Sequence, residues 1–295
     1  MDDRALWMLV IEARAALDPH LAPALDRFAA EMDLPTWGLL LAALTFEPEP
    51  ISATRLGVRG PYTAAGRYAQ RLASAEEQGY LYEEMPGEYR LTDAGRAINQ
   101  QFIDAIRAAM IDADPLPPAD SRRLAELLGR LAQASLDTPP PPDTWSIRLS
   151  VKLMPAIEPP LPYIEQAISC LVAYRDDAHL AAWRPSGLSA PALEALTFIW
   201  RDAVSALDAL CERLAHRGHP AEVYAGALAE LRERGYLAGS QGAFALADAG
   251  RRFREAVEAE TDRYFFAPWA HLSDAEKAEM AGLLTRLRDG LQPAP

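Results

Sequence analysis

Between Ile51 and Ala75 the chain carries four arginines, Arg55, Arg59, Arg67 and Arg71, and no carboxylate. Guanidinium groups without neighbouring acids suit phosphate oxygens and the O6/N7 edge of guanine. The spacing adds to this. Over 63–78, Ala64, Tyr68, Leu72 and Ala75 recur at helical intervals and predict an inward face. Thr63, Arg67, Gln70, Arg71 and Ser74 fall on the other side, and Arg67 and Arg71, four apart, point the same way. These five, with Arg55 and Arg59 upstream and Arg90 downstream, are the candidate contacts to double-stranded DNA. A solvated face whose arginines pair with acids from elsewhere is the competing reading.

Other chemistry is sparse. Asp18 and Asp177 each stand two residues before a histidine, but Asp18-Pro19 reads better as an N-cap followed by proline in the first turn of a helix. Cys170 and Cys211 make neither a disulfide framework nor a Cys-rich zinc site, and His216 and His219 are the only close histidine pair. There is no P-loop, GxGxxG, GxSxG or HExxH pattern. The expectation is a chain that is not an enzyme, with no metal and no cofactor. Trp7, Trp37, Trp183, Trp200 and Trp269 could line an aromatic ligand pocket or belong to the core.

The elements that must hold these residues divide the 295-residue chain near its middle. The run TPPPPDT at 138–144, followed by Pro155, Pro159, Pro160 and Pro162, favours an extended spacer. It predicts an N-terminal unit at 1–136, a linker at 137–163 and a C-terminal unit at 164–295. The two units look alike. Gly79-Tyr80-Leu81 matches Gly235-Tyr236-Leu237, Asp93-Ala94-Gly95-Arg96 matches Asp248-Ala249-Gly250-Arg251, and Asp18-Pro19-His20-Leu21 resembles Asp177-Ala178-His179-Leu180. Each unit reads as a first helix (6–17 or 164–174), a second apolar helix (37–46 or 193–199), and two short helices about a turn. A hairpin follows, with its tip at Pro86-Gly87 or Gly242. A long helix opens after Asp93 or Asp248 as N-cap, and a closing helix covers 121–134 or 273–290.

That order, with "EEQGYLYEEMPGEYRLTDAGR" and its second copy, resembles the MarR-type winged-helix regulators. The second half, with "RDDAHLAAW", "EALTFIW" and "EAETDRYFFAPW", also resembles an uncharacterised actinobacterial helix-turn-helix family sometimes labelled SalK-like. The MarR resemblance implies a mainly α fold with small β-hairpin wings. It further implies two fused winged-helix units forming a pseudo-dimer, with flanking helices as the interface. Its implied partners are DNA, a small aromatic ligand and a second copy of the chain in a homodimer.

The second unit departs from the pattern. Thr63, Arg67, Gln70, Arg71 and Ser74 become His219, Val223, Gly226, Ala227 and Glu230. The first wing is acidic at Glu83, Glu84 and Glu88, and the second is uncharged from Ala238 to Gly242. The net charge of −13 argues against indiscriminate polyanion binding, although screening limits long-range repulsion to about 8 Å. The apolar stretch at Leu6–Ile11 is shorter than a signal sequence needs, and Trp37–Phe46 is too short to span a bilayer, which points to a cytoplasmic chain without membrane contact. The leading expectation is a DNA-binding transcriptional regulator with contact mainly from the N-terminal unit. The alternative is a degenerate duplication that binds a small apolar or aromatic ligand, or a protein partner, and no longer binds DNA.

Overall fold

A computed structural model describes residues 2–29, 32–139, 145–240 and 243–292. In chain order the first half forms α1 (Asp3–Ala15), α2 (Asp18–Ala29), α3 (Leu34–Phe46), α4 (Ala53–Arg59), α5 (Ala65–Glu77), β1 (Leu81–Met85), β2 (Glu88–Leu91), α6 (Asp93–Ala113) and α7 (Pro118–Asp137). After α8 (Trp145–Ser150) and α9 (Pro160–Trp183), the second half repeats the local order. It runs α10 (Ala190–Trp200), α11 (Leu207–Arg213), α12 (Ala221–Glu233), β3 (Leu237–Ser240), β4 (Ala243–Leu246), α13 (Asp248–Phe266) and α14 (Asp274–Leu291). The fold is mainly helical with two small antiparallel hairpins, β1–β2 and β3–β4, as winged-helix units require.

Three apolar cores follow from these elements. Helices α1, α7, α9 and α14, the inner ends of α6 and α13, and Ile147 of α8 share one core. The helix-turn-helix and wing of each half enclose the other two. The shared core draws on both halves, so the flanking helices of one half are buried by those of the other. Ion pairs Lys277–Asp3 (2.6 Å), Arg288–Glu12 (2.7 Å), Arg123–Glu279 (2.9 Å) and Arg286–Asp120 (2.7 Å) fringe the contacts of α14 with α1 and α7. Exposed pairs of this kind contribute at most about 1 kcal/mol each, so apolar burial sets the packing.

Two features of the 137–163 stretch differ from an extended spacer. Trp145–Ser150 is helical, with Ser146, Ile147, Leu149 and Ser150 buried, because Asp177 accepts hydrogen bonds from the backbone N–H groups of Ser146 (2.8 Å) and Ile147 (3.0 Å). Residues 140–144 lie outside the described residues. Helix α9 also runs well beyond 164–174. In the first half Pro19 sits where α1 gives way to α2. Ala178 stands at the corresponding place in the second half, and without the proline the helix continues. Asp177 therefore caps α8 from within α9 rather than starting a helix.

The long helix after each wing starts one residue earlier than the acid suggests. Thr92, not Asp93, caps α6, its hydroxyl accepting from Gly95 N–H at 3.0 Å. Ala247 stands at the N-cap of α13 without a side-chain bond. Asp93 and Asp248 instead occupy the first turn, where the helix dipole favours a carboxylate. The repeated glycine has a steric cause. The Tyr80 carbonyl accepts from Thr92 N–H (3.0 Å), and the Tyr236 carbonyl accepts from Ala247 N–H (3.0 Å). A Cβ on Gly95 or Gly250 would collide with that same carbonyl. Gly95→Ala and Gly250→Ala are each expected to destabilise the fold by about 1–3 kcal/mol in denaturant titration, the cost of overpacking a rigid backbone contact.

Candidate nucleic-acid interface and the cleft beside it

Helices α4 and α5 form the first helix-turn-helix. Ser52 caps α4, and the Tyr68 hydroxyl donates to the Gly60 carbonyl at 3.0 Å, tying α5 to the turn. Leu72 and Ala75 are fully buried in the first unit's core with Leu40 and Leu56, as the helical spacing predicts. Arg67 and Gln70 are exposed and bonded to each other, Arg67 Nη1 donating to Gln70 Oε1 at 3.0 Å. Arg71, Ser74 and Thr63 are half-buried, and Ser74 accepts from Gln78 (3.1 Å).

The other candidate arginines are engaged elsewhere. Arg55 donates to the Pro50 carbonyl at 2.8 Å and lies 3.4 Å from Glu49. Arg90 pairs with Glu84 at 2.6 Å and reaches the Pro48 carbonyl. Arg59 is directed into the interior cavities between the units.

The start of α5 meets the second unit. Ala64 N–H donates to the Arg217 carbonyl (2.9 Å), His219 Nε2 donates to the Tyr62 carbonyl (3.0 Å), and Arg184 donates to the Val58 carbonyl (2.7 Å). The Tyr62 ring packs near Trp183 (6.1 Å between centroids) and beneath the Arg217 guanidinium (5.7 Å). Gly218, at φ 76°, faces the methylenes of Arg67 closely enough that a Cβ there would stand 3.0 Å from Arg67 Cβ. The turn before α5 and the turn before α12 thus interlock. A helix-turn-helix reads bases with the first residues of its second helix, and in this arrangement those residues of α5 touch protein.

On the second unit, Tyr224, Ala227, Leu228 and Leu231 of α12 are buried. Glu230, in place of Ser74, accepts from Ser189 N–H (3.2 Å) and Oγ (2.6 Å) and pairs with Arg234 (3.2 Å), so it joins α12 to the start of α10. Arg217 pairs with Glu194 at 2.7 Å; burial pushes the Glu194 carboxyl up, and the bond from Arg217 pulls it down. The tip at Gly242 lies outside the described residues. The first tip is at Pro86-Gly87, with Gly87 at φ 77° and its N–H donating to Glu83 at 2.7 Å.

A cavity of about 630 Å³ opens between the first unit and α9, bordered by α1, α2, α3 and α6. A second, of about 400 Å³, lies beneath the interlocked turns, bordered by Tyr62, Tyr68, His179 and Arg217. Arg59 and Asp176 line both. Of the five tryptophans only Trp37 lines either cavity, its ring 3.8 Å from that of Phe102. Trp7 and Trp269 pack with Phe265 in the shared core (Trp7–Phe265 4.7 Å, Trp269–Phe265 5.7 Å). Trp183 is buried in the second unit, and Trp200 lies 5.1 Å beneath the Arg254 guanidinium. The five do not converge on one pocket. Asp176 and Tyr62 escape sequence reading because their neighbours are remote in the chain, and His179 is noticed there only as the histidine two residues after Asp177.

Residues 151–294 match the model of a helix-turn-helix family, which supports a helix-turn-helix domain, a domain type of DNA-binding regulators, in the second half of the chain. Comparison with curated proteins and with solved structures returns no match. No described helix is long and apolar enough to cross a membrane.

Burial holds the His179 imidazole down at about 4, and Arg254, Arg175 and Arg201 act in the same direction against Glu258. Its Nδ1 lies 3.3 Å from Thr261 Oγ1. Between about 4 and 6.5 the unfolded chain binds a proton that the folded one refuses, so this group's contribution falls as pH drops through that window. Thermal unfolding followed from pH about 7 to about 4 is expected to show a smaller loss of Tm in His179→Gln than in the wild type.

Proposed function

We propose that the chain is a winged-helix DNA-binding transcriptional regulator of MarR-like build. Two fused units, 1–136 and 164–295, joined by 137–163, form its pseudo-dimer. Thr63, Arg67, Gln70, Arg71 and Ser74 of the first unit supply most of the DNA contact. The observation carrying the reading is the outward flank of α5: neither Arg67 nor Arg71 forms an ion pair among the described residues, whereas Arg55, Arg90 and Arg217 all do. Two unneutralised guanidinium groups one helical turn apart are suited to phosphate and guanine.

The interlocked turns belong in this reading to a closed form. Successive half-sites on DNA lie about 34 Å apart, and helix starts that touch one another do not span that distance. DNA binding then requires the turns to part. A low-salt gel shift with genomic fragments tests both statements. Arg67→Ala with Arg71→Ala is expected to weaken binding by about tenfold or more, a loss that shrinks at higher salt. Tyr62→Ala, which removes the ring wedged against Trp183, is expected to tighten it. Wild-type affinity in the double variant would remove α5 from the interface.

The second reading, a duplication that binds a small molecule or a protein partner and no longer contacts DNA, is favoured by the covered start of α5. It becomes the better account if neither wild type nor Tyr62→Ala shifts any fragment at low salt.

A further inference from the structure

The walls of the larger cavity carry cations and anions in equal number: Arg14, Arg59 and Arg107 against Asp18, Glu165 and Asp176. Three of the six are already engaged. Arg14 faces Glu165 at 3.4 Å and Arg107 donates to the Leu153 carbonyl at 3.0 Å, while Asp18 is exposed at the start of α2. Arg59 and Asp176 differ. They line both cavities from opposite elements, the end of α4 and the middle of α9, and neither forms a hydrogen bond or ion pair among the described residues. They nevertheless feel each other: Asp176 is open to the cleft, yet the surrounding protein pushes its carboxyl up, and Arg59 is the first among the charges that pull it back. Much of the remaining wall is apolar, with Trp37, Phe102, Leu41, Ile103, Ile106 and Met110, and the buried indole N–H of Trp37 has no acceptor among the described residues.

A cation and an anion separated by a gap, beside an apolar chamber of small-molecule size, select the chemistry of the occupant. A monoanion would satisfy Arg59 and be repelled by Asp176; a monocation would do the reverse. Either leaves one of the two charges without a partner in the cleft. We propose that this cleft binds a small amphipathic zwitterion, an amino acid with a large apolar side chain. Its carboxylate meets Arg59, its ammonium meets Asp176, and its side chain lies against Trp37 and Phe102.

The test is calorimetric titration of the full chain, without DNA, using L-phenylalanine, 3-phenylpropionate (which lacks the ammonium) and phenethylamine (which lacks the carboxylate). L-Phenylalanine is expected to bind saturably and to perturb tryptophan fluorescence through Trp37. The two single-pole analogues are expected to bind at least about tenfold more weakly. Arg59→Gln and Asp176→Asn each lose about that factor for L-phenylalanine. Asp176→Asn in addition binds 3-phenylpropionate more tightly than the wild type does, a gain that a damaged fold does not produce. Absence of saturable heat with L-phenylalanine, equal affinity for the analogues, or indifference to Arg59→Gln overturns the proposal. None of these outcomes bears on DNA binding, which the gel shift measures separately.

Discussion

The whole arrangement depends on burying α9. Along its 24 residues Leu161, Ile164, Ala167, Ile168, Leu171, Tyr174 and Ala178 form one buried stripe, and Pro162, Cys170, Ala173, Leu180 and Trp183, buried as well, lie off it. A helix buried this far round its circumference must be covered from several directions. Its cover comes from α1, α6 and α7 of the first half, from α13 of the second, and from α8 between them. The two halves therefore share a core rather than abutting as finished domains. Asp177 is the polar residue buried within that helix, and it is satisfied by the start of α8, which fixes the returning chain against α9.

With the shared core in place, the helix-turn-helix lobes are carried on either side of α9 and their turns meet. Three hydrogen bonds from Ala64, His219 and Arg184 hold that contact. At about 0.5–1.5 kcal/mol net for each, they contribute on the order of a few kcal/mol. Inverting a two-state equilibrium from 1:99 to 99:1 takes about 5.5 kcal/mol. On the proposal that DNA binding parts the turns, a contact of this size is within the reach of one good binding event. Chemical asymmetry accompanies it: the outward arginines lie on α5, while the matching position on α12 holds Glu230, whose carboxylate is fixed by Ser189 and Arg234.

Much of the lobe structure was legible because its signals are local. Gly79 and Gly235, at φ 78° and 71°, end their helices in a conformation that favours glycine, and the hairpins follow directly. The inward positions of α5 announce themselves by spacing, and Leu72 and Ala75 obey it. Local signals misled where two residues compete for one role, as Thr92 and Asp93 do at the start of α6. They failed where a partner is distant. Nothing within Trp145–Ser150 reveals that Asp177 will cap it. Arg59 read as one of a basic run, because Asp176 on the opposite wall is far away in the chain. The tryptophans were legible as large apolar groups but not as a set, since their placement follows from packing between elements.

The covalent joining of the two halves changes what governs the contact between their turns. Separate subunits come apart when diluted, and their association is measured by a concentration. Here the turns are presented to each other by one chain folded around α9, at an effective concentration that chain connectivity sets and that does not vary with the amount of protein. The fraction of molecules with the turns together is the same in a sparse cell as in a crowded one. Only a molecule that binds one of the two forms in preference can change it.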